Sequence, residues 1–375
     1  MFVLEPVVGE SDAWGATLCA PDGGRLPLRF ARLTDTPEWP DVLDGVVAAV
    51  LPRVMRAGGL LRVAGPVTRG AVRNLTEYAE AWSSWAPDRF ARVPIVADAV
   101  VDGRRAPRGH RAVVAWSGSL RATHTLVRHR DGAVPGAFAV AAVLRVVGLH
   151  RRDADADAAA ATTTWRRALA PEGVPLRAVR IDVAGGLRDL EIGALPLVAA
   201  ALHATASDVP VGLHARSWLV TAQLRYPRPG PALHDLLGGD ACAVRADGGT
   251  TSPPAMAAAV ARHPALAAVV SDCARRSRLA PACGRCARCT LLRLARRAAA
   301  LPAPRPRLAR IATLPLRDPT CAADVDATLA TWTAPRDVAR ALLASRARVA
   351  RAAVEARDTA RWLAAAAGAR APWPR

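Results

Sequence analysis

The sequence contains no lysine, and all 51 of its basic residues are arginine. This absence excludes a lysine base or Schiff base from the chemistry of the protein. It also excludes a Walker loop, whose lysine contacts the phosphates. Asparagine occurs once, at Asn74, and aromatic residues make up 4% of the chain. The net charge of +19 predicts a positive field and salt-sensitive affinity for anions. Arginine in place of lysine on an ordinary solvated surface accounts for much of this charge.

The sequence also lacks an apolar run long enough to cross a bilayer, which needs about 20 residues. Its longest candidates, Ala133–Leu144 and Gly193–Leu202, are ended by Arg145 and His203. The first residues, MFVLEPVVGESD, include acids and no basic n-region, so no signal peptide is expected. Seven cysteines, an odd number with a tight cluster, favour a metal site in a reducing compartment over disulfides. We therefore expect a cytoplasmic protein without membrane contact.

Three regions of the chain differ in pattern. Residues 1–108 alternate short apolar segments with turns, which predicts a small mixed α/β N-terminal domain. Within residues 109–300, apolar strands alternate with helices, which predicts a Rossmann-like parallel sheet with helices on both faces. Residues 301–375 follow with a proline-rich connector and Ala/Arg-rich helical patterns, which predict a helical C-terminal extension.

The positions of the strands and helices follow from apolar periodicity. In the first region strands are predicted at 2–4, 26–30, 60–63 and 93–96 and helices at 40–56 and 72–85; in the second, strands at 112–116, 143–150, 176–182, 209–214, 241–246 and 266–271 and helices at 123–129, 155–169 and 194–205. Ser252 followed by Pro253 predicts another helix start. Ligands of such sheets bind at the carboxyl ends of the strands. His150 and His214 end two predicted strands and are expected on that side.

Four of the cysteines, Cys273, Cys283, Cys286 and Cys289, have the spacing C-x9-C-x2-C-x2-C. Two-residue gaps let successive thiolates turn toward one point, and four thiolates at the corners of a tetrahedron bind zinc. The nine-residue loop is expected to bring Cys273 back from the end of strand 266–271. The pattern predicts one structural zinc ion. An iron–sulfur cluster is the other metal group it permits, and unconnected buried thiols are the interpretation without a metal.

A strand, a Ser/Gly turn and a helix follow one another in AVVAW-SGSLRAT-HTLVRH, residues 112–129. Such a turn places backbone amides and a helix N-terminus where a phosphate binds, but an ordinary βα turn has the same pattern. The Gly-x-Ser-x-Gly of a nucleophile elbow is absent. The candidate nucleotide-binding residues of the loop are Ser117, Gly118, Ser119 and Arg121.

Together with the cysteines, this loop resembles the PP-loop ATP-pyrophosphatases, also called the adenine nucleotide alpha-hydrolase-like family. Within that family it is similar to the cyano-deazaguanine synthases and to a bacterial branch with an NCGRCEKC-type end. The matching stretches are 61–78, 115–126 and 282–295. The resemblance implies a loop that holds the pyrophosphate of ATP, with Mg²⁺, while an acyl oxygen attacks the α-phosphate. It implies a ligase that adenylates a carboxylate or amide of a small-molecule substrate and then transfers nitrogen.

The loop departs from the family's Ser-Gly-Gly-x-Asp-Ser at three of its six positions. Ser119 stands for the second Gly, Arg121 for the Asp and Ala122 for the last Ser. Arg121 can clamp a phosphate directly, whereas three changed positions in a preorganised loop favour loss of catalysis. The alternatives are an active synthase and a non-catalytic, zinc-stapled pseudoenzyme that acts as a binding or scaffold partner.

Arginine is concentrated in residues 273–317, which contain twelve arginines and no acid. Several zinc-containing PP-loop relatives act on transfer RNA, so the resemblance also permits an RNA-binding or transfer-RNA-modifying protein. The stretch has no aromatic residue to stack on bases. We therefore expect nucleic-acid binding to be weak and non-specific.

Overall fold

A computed structural model of the chain describes residues 1–7, 13–103, 110–149, 155–183, 195–206, 208–215, 232–273, 283, 286–299 and 301. Structural statements here concern those residues. His150, the helical extension predicted beyond residue 301 and most of the arginine-rich stretch 273–317 lie outside them.

The described strands form one mixed sheet. They are β1 Phe2–Pro6, β2 Ala13–Cys19, β3 Arg25–Arg32, β4 Leu61–Thr68, β5 Ile95–Val101, β6 Arg111–Ala115, β7 Ala139–Val147, β8 Leu176–Val183, β9 Val211–Ala215 and β10 Ala243–Asp247. Their order across the sheet is β10-β9-β6-β7-β8-β3-β2-β1-β4-β5. Six neighbouring pairs are parallel, and the pairs β1–β2, β2–β3 and β3–β8 are antiparallel. The predicted α/β class with a mostly parallel sheet is confirmed.

Helices occupy most of the connections. They are α1 Asp44–Ala57, α2 Arg69–Trp85, α3 Leu120–Arg130, α4 Asp155–Leu169, α5 Leu195–Thr205, α6 Ala232–Asp235, α7 Pro253–Ala261, α8 Pro264–Val269 and α9 Ala287–Ala298. Their starts have local causes. The Thr68 side chain caps α2 by accepting the Ala71 N–H. Ser252 precedes α7 and proline follows it, which confirms that predicted helix start. Among the described helices, none combines the length and the apolar character needed to cross a bilayer.

Alternating residues of β6 show how the two faces of the sheet are covered. Val113 and Ala115 belong to one buried cluster with residues of α1, α2 and α5. Ala112 and Val114 belong to a second cluster with residues of α3, α4 and α7. Burial of one such valine stabilises the fold by about 1.5–3 kcal/mol. The predicted helices on both faces of the sheet are therefore present.

Strands from both sides of residue 108 share this sheet. The junction is β3, whose residues Leu28–Arg32 pair antiparallel with Val179–Val183 of β8. A second connection is made by Asp240, whose carboxylate accepts the Gly70 N–H at 2.8 Å at the start of α2. The division into two domains at residue 108 stays a prediction. The structure adds that the strands before and after this residue belong to one continuous sheet.

Two elements of the structure differ in kind from the prediction. The strand predicted at 266–271 is wrong, because residues 264–269 form the short helix α8. Pro264 at the first position fixes φ for a helix, and the Ala267 N–H reaches the His263 carbonyl at 2.8 Å. Strand β2 was not predicted, since its Gly15 is a poor strand former. The neighbouring strand requires that glycine, because a Cβ there would lie 2.1 Å from the Leu28 carbonyl oxygen.

The chain changes direction across the sheet at β6. It leaves β6 through α3, on one face, to reach β7, and it leaves β8 through α5, on the other face, to reach β9 on the opposite side of β6. In open α/β sheets ligands bind at such a switch point, outside the carboxyl ends of the strands. The loop after β6 and the end of β9 therefore mark the expected ligand side.

Candidate metal centre and the loop after strand β6

The structure brings the four predicted cysteines together. The sulfurs of Cys273, Cys283, Cys286 and Cys289 all lie within 4.8 Å of one another. The sulfurs of Cys283 and Cys289 are 3.9 Å apart, well beyond a disulfide bond of about 2.05 Å. Four thiolates about 2.3 Å from a tetrahedral zinc would be about 3.8 Å apart. The donor set therefore fits a single tetrahedral metal ion.

Local structure positions two of these sulfurs. Cys286 immediately precedes helix α9, and Cys289 lies in its first turn. The Cys289 N–H donates to the Cys286 sulfur at 3.4 Å. The positive end of the helix dipole faces that sulfur, which suits a negatively charged ligand. Cys273 follows α8 and a short segment without regular secondary structure, so the expectation that it follows a strand is wrong.

The cluster is largely shielded from solvent, with Cys283 as its partly exposed member. Cys273 and Cys286 are each 8% exposed and Cys289 is 2% exposed. Helix α9 anchors the cluster because its Ala295 is buried in the core shared by α3, α4 and α7. Structural metal sites have four protein ligands and no open position, whereas catalytic sites keep one position for water or substrate. The burial and the four thiols therefore match a structural site.

The two other described cysteines lie outside this cluster. Burial raises the pKa of the Cys242 thiol to about 12, so it stays protonated at neutral pH. Burial also raises the pKa of the Cys19 thiol, which donates to the Glu5 carboxylate at 3.4 Å. Both are thiols outside the cluster, Cys242 buried and Cys19 partly buried.

The loop after β6 has one position that needs glycine. Gly118 has a φ of +72°, and a Cβ there would lie 3.2 Å from a ring carbon of Trp165. Ser119 is extended, and its side chain caps α3 by accepting the Ala122 N–H at 3.2 Å. Its hydroxyl also accepts from the Ser117 hydroxyl at 3.2 Å. Serine at 119 therefore closes the start of α3 and causes no backbone strain.

A buried cation lies beneath this loop. The Trp165 ring packs against Trp116 with centroids 5.0 Å apart, and the guanidinium of Arg145 lies 3.7 Å from the Trp165 centroid. Arg145 is 5% exposed. Such a charge raises the local positive potential in a region of low dielectric. Sequence reasoning missed Arg145, although an arginine inside the apolar strand sequence VLRVV was a visible anomaly.

The residues just before Cys273 contact this loop directly. The Ser271 N–H donates to the Gly118 carbonyl at 2.9 Å. The Leu120 N–H points to the Asp272 carboxylate at 3.4 Å, at the start of α3. The metal centre and the candidate nucleotide loop are thus joined through Ser271 and Asp272, a connection that sequence reasoning missed.

Polar side chains lie on the neighbouring elements. His214, at the carboxyl end of β9 as predicted, has its ring 5.6 Å from that of His234. On α3, burial and the charge of Arg128 lower the pKa of His124 to about 4, so the ring is neutral at physiological pH. His129 and Arg128 each lie 3.3 Å from Asp247 at the end of β10. These contacts bind α3 to β10, and they do not reach the metal cluster.

The chain matches no protein-family model, no curated protein and no solved structure.

Proposed function

We propose that the protein binds the phosphates of an adenine nucleotide at loop 117–121 and is stapled by a structural zinc ion. The observation that carries this proposal is the contact between the two sites. The loop lies at the carboxyl end of β6, at the switch point of the sheet, and Ser271 of the segment leading to Cys273 bonds to its Gly118. The arrangement supports a single functional unit, in which the metal fixes the segment Ser271–Cys273 that packs against the loop.

Zinc is the metal we propose because the four sulfurs suit its tetrahedral geometry and three of the four cysteines are buried. When bound, zinc supplies no redox chemistry and acts as a cross-link. The protein's own residues would hold it through Cys273 on the loop side and through Cys286 and Cys289 at the start of α9. An iron–sulfur cluster is the competing occupant, and its visible absorption distinguishes it from zinc.

The contacts proposed for the nucleotide are the backbone around Ser117–Ser119 and the guanidinium of Arg121. Arg121 is half-buried in the first turn of α3, and the buried Arg145 adds to the positive potential beneath the loop. Phosphate binding at a helix start uses backbone N–H groups and the helix dipole. Arginine suits phosphate because its guanidinium donates two parallel hydrogen bonds.

The proposed reaction is the one implied by the resemblance. An acyl oxygen of the substrate attacks the α-phosphorus of ATP and pyrophosphate leaves; a nitrogen nucleophile then attacks the acyl carbon, loses a proton and displaces AMP. The experiment is incubation of the protein with ATP, Mg²⁺ and a cell metabolite extract, followed by detection of AMP and pyrophosphate. Release of both supports the synthase, whereas ATP binding without release supports the pseudoenzyme. Absence of ATP binding contradicts the proposal.

Replacement of Arg121 tests the contact with phosphate. A hydrogen bond to a charged group contributes about 1.5–3 kcal/mol, so we expect Arg121→Ala to weaken ATP binding by about ten- to a hundredfold. Isothermal titration calorimetry measures the change. Arg62→Ala is the control, because it removes the same charge from β4, where Arg62 forms an exposed ion pair with Asp98 of β5. If the Arg121→Ala variant and the unchanged protein bind ATP with equal affinity, Arg121 does not contact the nucleotide.

The triple variant Ser119→Gly, Arg121→Asp, Ala122→Ser restores the family's residues to the loop. Loss of the Ser119 cap to glycine costs only a few tenths of a kcal/mol, so the fold should tolerate it. If the loop alone prevents catalysis, the variant gains pyrophosphate release from ATP; Arg121→Asp alone should weaken binding and restore nothing. If the unchanged protein already turns over ATP and substitutions at Arg121 leave turnover untouched, the reaction occurs elsewhere.

A further inference from the structure

Strand β5 forms one edge of the sheet. Within the described part of the chain it pairs with β4 alone. The other side of an edge strand presents backbone N–H and C=O groups that can pair with a strand of another chain. The irregularity in the β4–β5 pair lies in β4, between Val63 and Pro66. The edge is therefore seven residues of regular strand, with nothing in its own backbone to prevent further pairing.

One face of β5 is exposed and apolar. Among the described residues four large hydrophobic side chains are exposed, and two of them are Val96, at 49%, and Val100, at 45%. Asp98 lies between them on the same face and is also exposed. On the opposite face, Ile95 and Ala97 pack against the core that contains α2. The open face of this edge strand therefore carries two valines that flank one aspartate.

The usual protection of an edge strand is weak at β5. Edge strands that stay unpaired commonly carry several charges or a proline. In a chain with 51 arginines, β5 contains no arginine and no proline. Its single charge, on Asp98, is balanced by Arg62 of β4, whose Nε lies 3.0 Å from the carboxylate. The strand at the other edge, β10, differs because the exposed Arg245 stands at its centre and its Val244 is buried.

The sequence of β5, IVADAVV, is nearly the same in both directions. Asp98 is at its centre, alanine stands on either side, valine follows at Val96 and Val100, and the ends are isoleucine and valine. In an antiparallel pair about a two-fold axis, each residue lies opposite the one at equal distance beyond the axis. With the axis at Asp98, Val96 of one copy lies opposite Val100 of the other. The strand is therefore complementary to itself.

We propose that two copies of the chain pair antiparallel through β5, about a two-fold axis at Asp98, and join their sheets into one. Both exposed valines are then covered by valines of the second copy. The two Asp98 carboxylates meet at the axis, and the ion pair of each with its own Arg62 offsets their repulsion. The net charge of +19 opposes association, but physiological salt screens charges more than about 8 Å apart. This inference goes beyond the proposed function and does not depend on it.

The test uses the pairing of position 96 with position 100 of the second copy. Val96→Glu/Val100→Glu places like charges opposite each other at two points of the pair, whereas Val96→Glu/Val100→Arg places opposite charges there. The two double variants differ at position 100 alone. Within one chain these positions are about 13 Å apart along the strand, so the new side chains interact little unless a second copy is present. Thermal melting verifies that both variants are folded.

Sedimentation equilibrium at physiological salt measures the dissociation constant of the dimer. We expect a reversible dimer for the unchanged protein and a dissociation constant at least about tenfold weaker for Val96→Glu/Val100→Glu. The variant Val96→Glu/Val100→Arg should dimerise at least about tenfold more tightly than the like-charged one. Arg245→Ala is the matched control, because it changes an exposed side chain on the strand at the other edge. It should leave the dimer unchanged.

Three results would overturn the proposal. The first is an unchanged protein that stays monomeric up to the highest concentration at which it remains in solution, a result that needs no variant. The second is a dimer that neither double variant weakens, because the contact then lies on another surface. The third is equal weakening by both double variants, which places β5 in the contact but excludes the antiparallel pairing about Asp98. ATP is absent from this experiment, so none of these results bears on the nucleotide site.

Discussion

Cys286→Ser protein is expected to contain no zinc, whereas the unchanged protein carries one zinc ion per chain. Serine is a poor zinc ligand, and this position supplies both a buried sulfur and the acceptor for the Cys289 N–H. Metal-binding free energy is partly folding free energy. Loss of a structural metal is among the few mechanisms that cost more than about 4 kcal/mol, and we expect an effect of that size on unfolding by urea.

The matched control for this experiment is Cys19→Ser. It makes the same chemical change at a half-buried cysteine outside the cluster, where a hydroxyl can also reach Glu5. This variant should keep its zinc and nearly all of its stability. Elemental analysis gives the metal content. A preparation without metal, or one that contains iron and absorbs visible light, contradicts the zinc assignment, as does full zinc occupancy in Cys286→Ser.

Trp165→Ala is expected to destabilise the protein by about 3–5 kcal/mol, the range for removal of a large buried aromatic side chain. Trp165 is 2% exposed and packs between Trp116, Gly118 and the guanidinium of Arg145. Its removal leaves a cavity under the loop and a buried cation without its aromatic neighbour. We therefore also expect weaker ATP binding, because the backbone at Gly118 loses its support.

Urea denaturation measures the stability change, and Trp85→Ala is its control. Trp85 ends helix α2 and is 52% exposed, so its truncation should change the free energy of unfolding by less than about 0.5 kcal/mol. A change at Trp165 as small as that at Trp85 would show that the loop has no rigid platform. The loop would then lack the preorganised backbone that the proposed phosphate binding requires.

Elements with strong local patterns could be predicted from the sequence. Helix α4 has the bounds that its composition indicated, and the strands β6 and β8 differ from their predicted bounds by one residue at each end or less. The cysteine spacing was also sufficient, because two-residue gaps restrict where neighbouring sulfurs can point. In these cases neighbours in sequence determine the outcome, and long-range packing only reinforces it.

Features that depend on distant residues could not be predicted. One local signal was also missed: LAAVV suits a strand or a helix, and Pro264 just before it favours a helix start. The contact of Asp272 with Leu120 joins residues 152 positions apart, and no local pattern indicates it. The positive φ requires glycine at 118, and Trp165, on α4 in the next layer, further limits the space there, a contact that no local pattern indicates.

The pairing of β3 with β8 has a consequence for synthesis on the ribosome. Strand β3 is complete at Arg32, but its partner β8 begins at Leu176, roughly 150 residues later. At about 5–20 residues per second this delay lasts about 7–30 s. During that time β3 has β2 on one side and a row of unpaired backbone groups on the other, which can pair with another chain. The nascent protein is therefore most exposed to aggregation before β8 is made, and slow translation of the middle of the chain lengthens that interval.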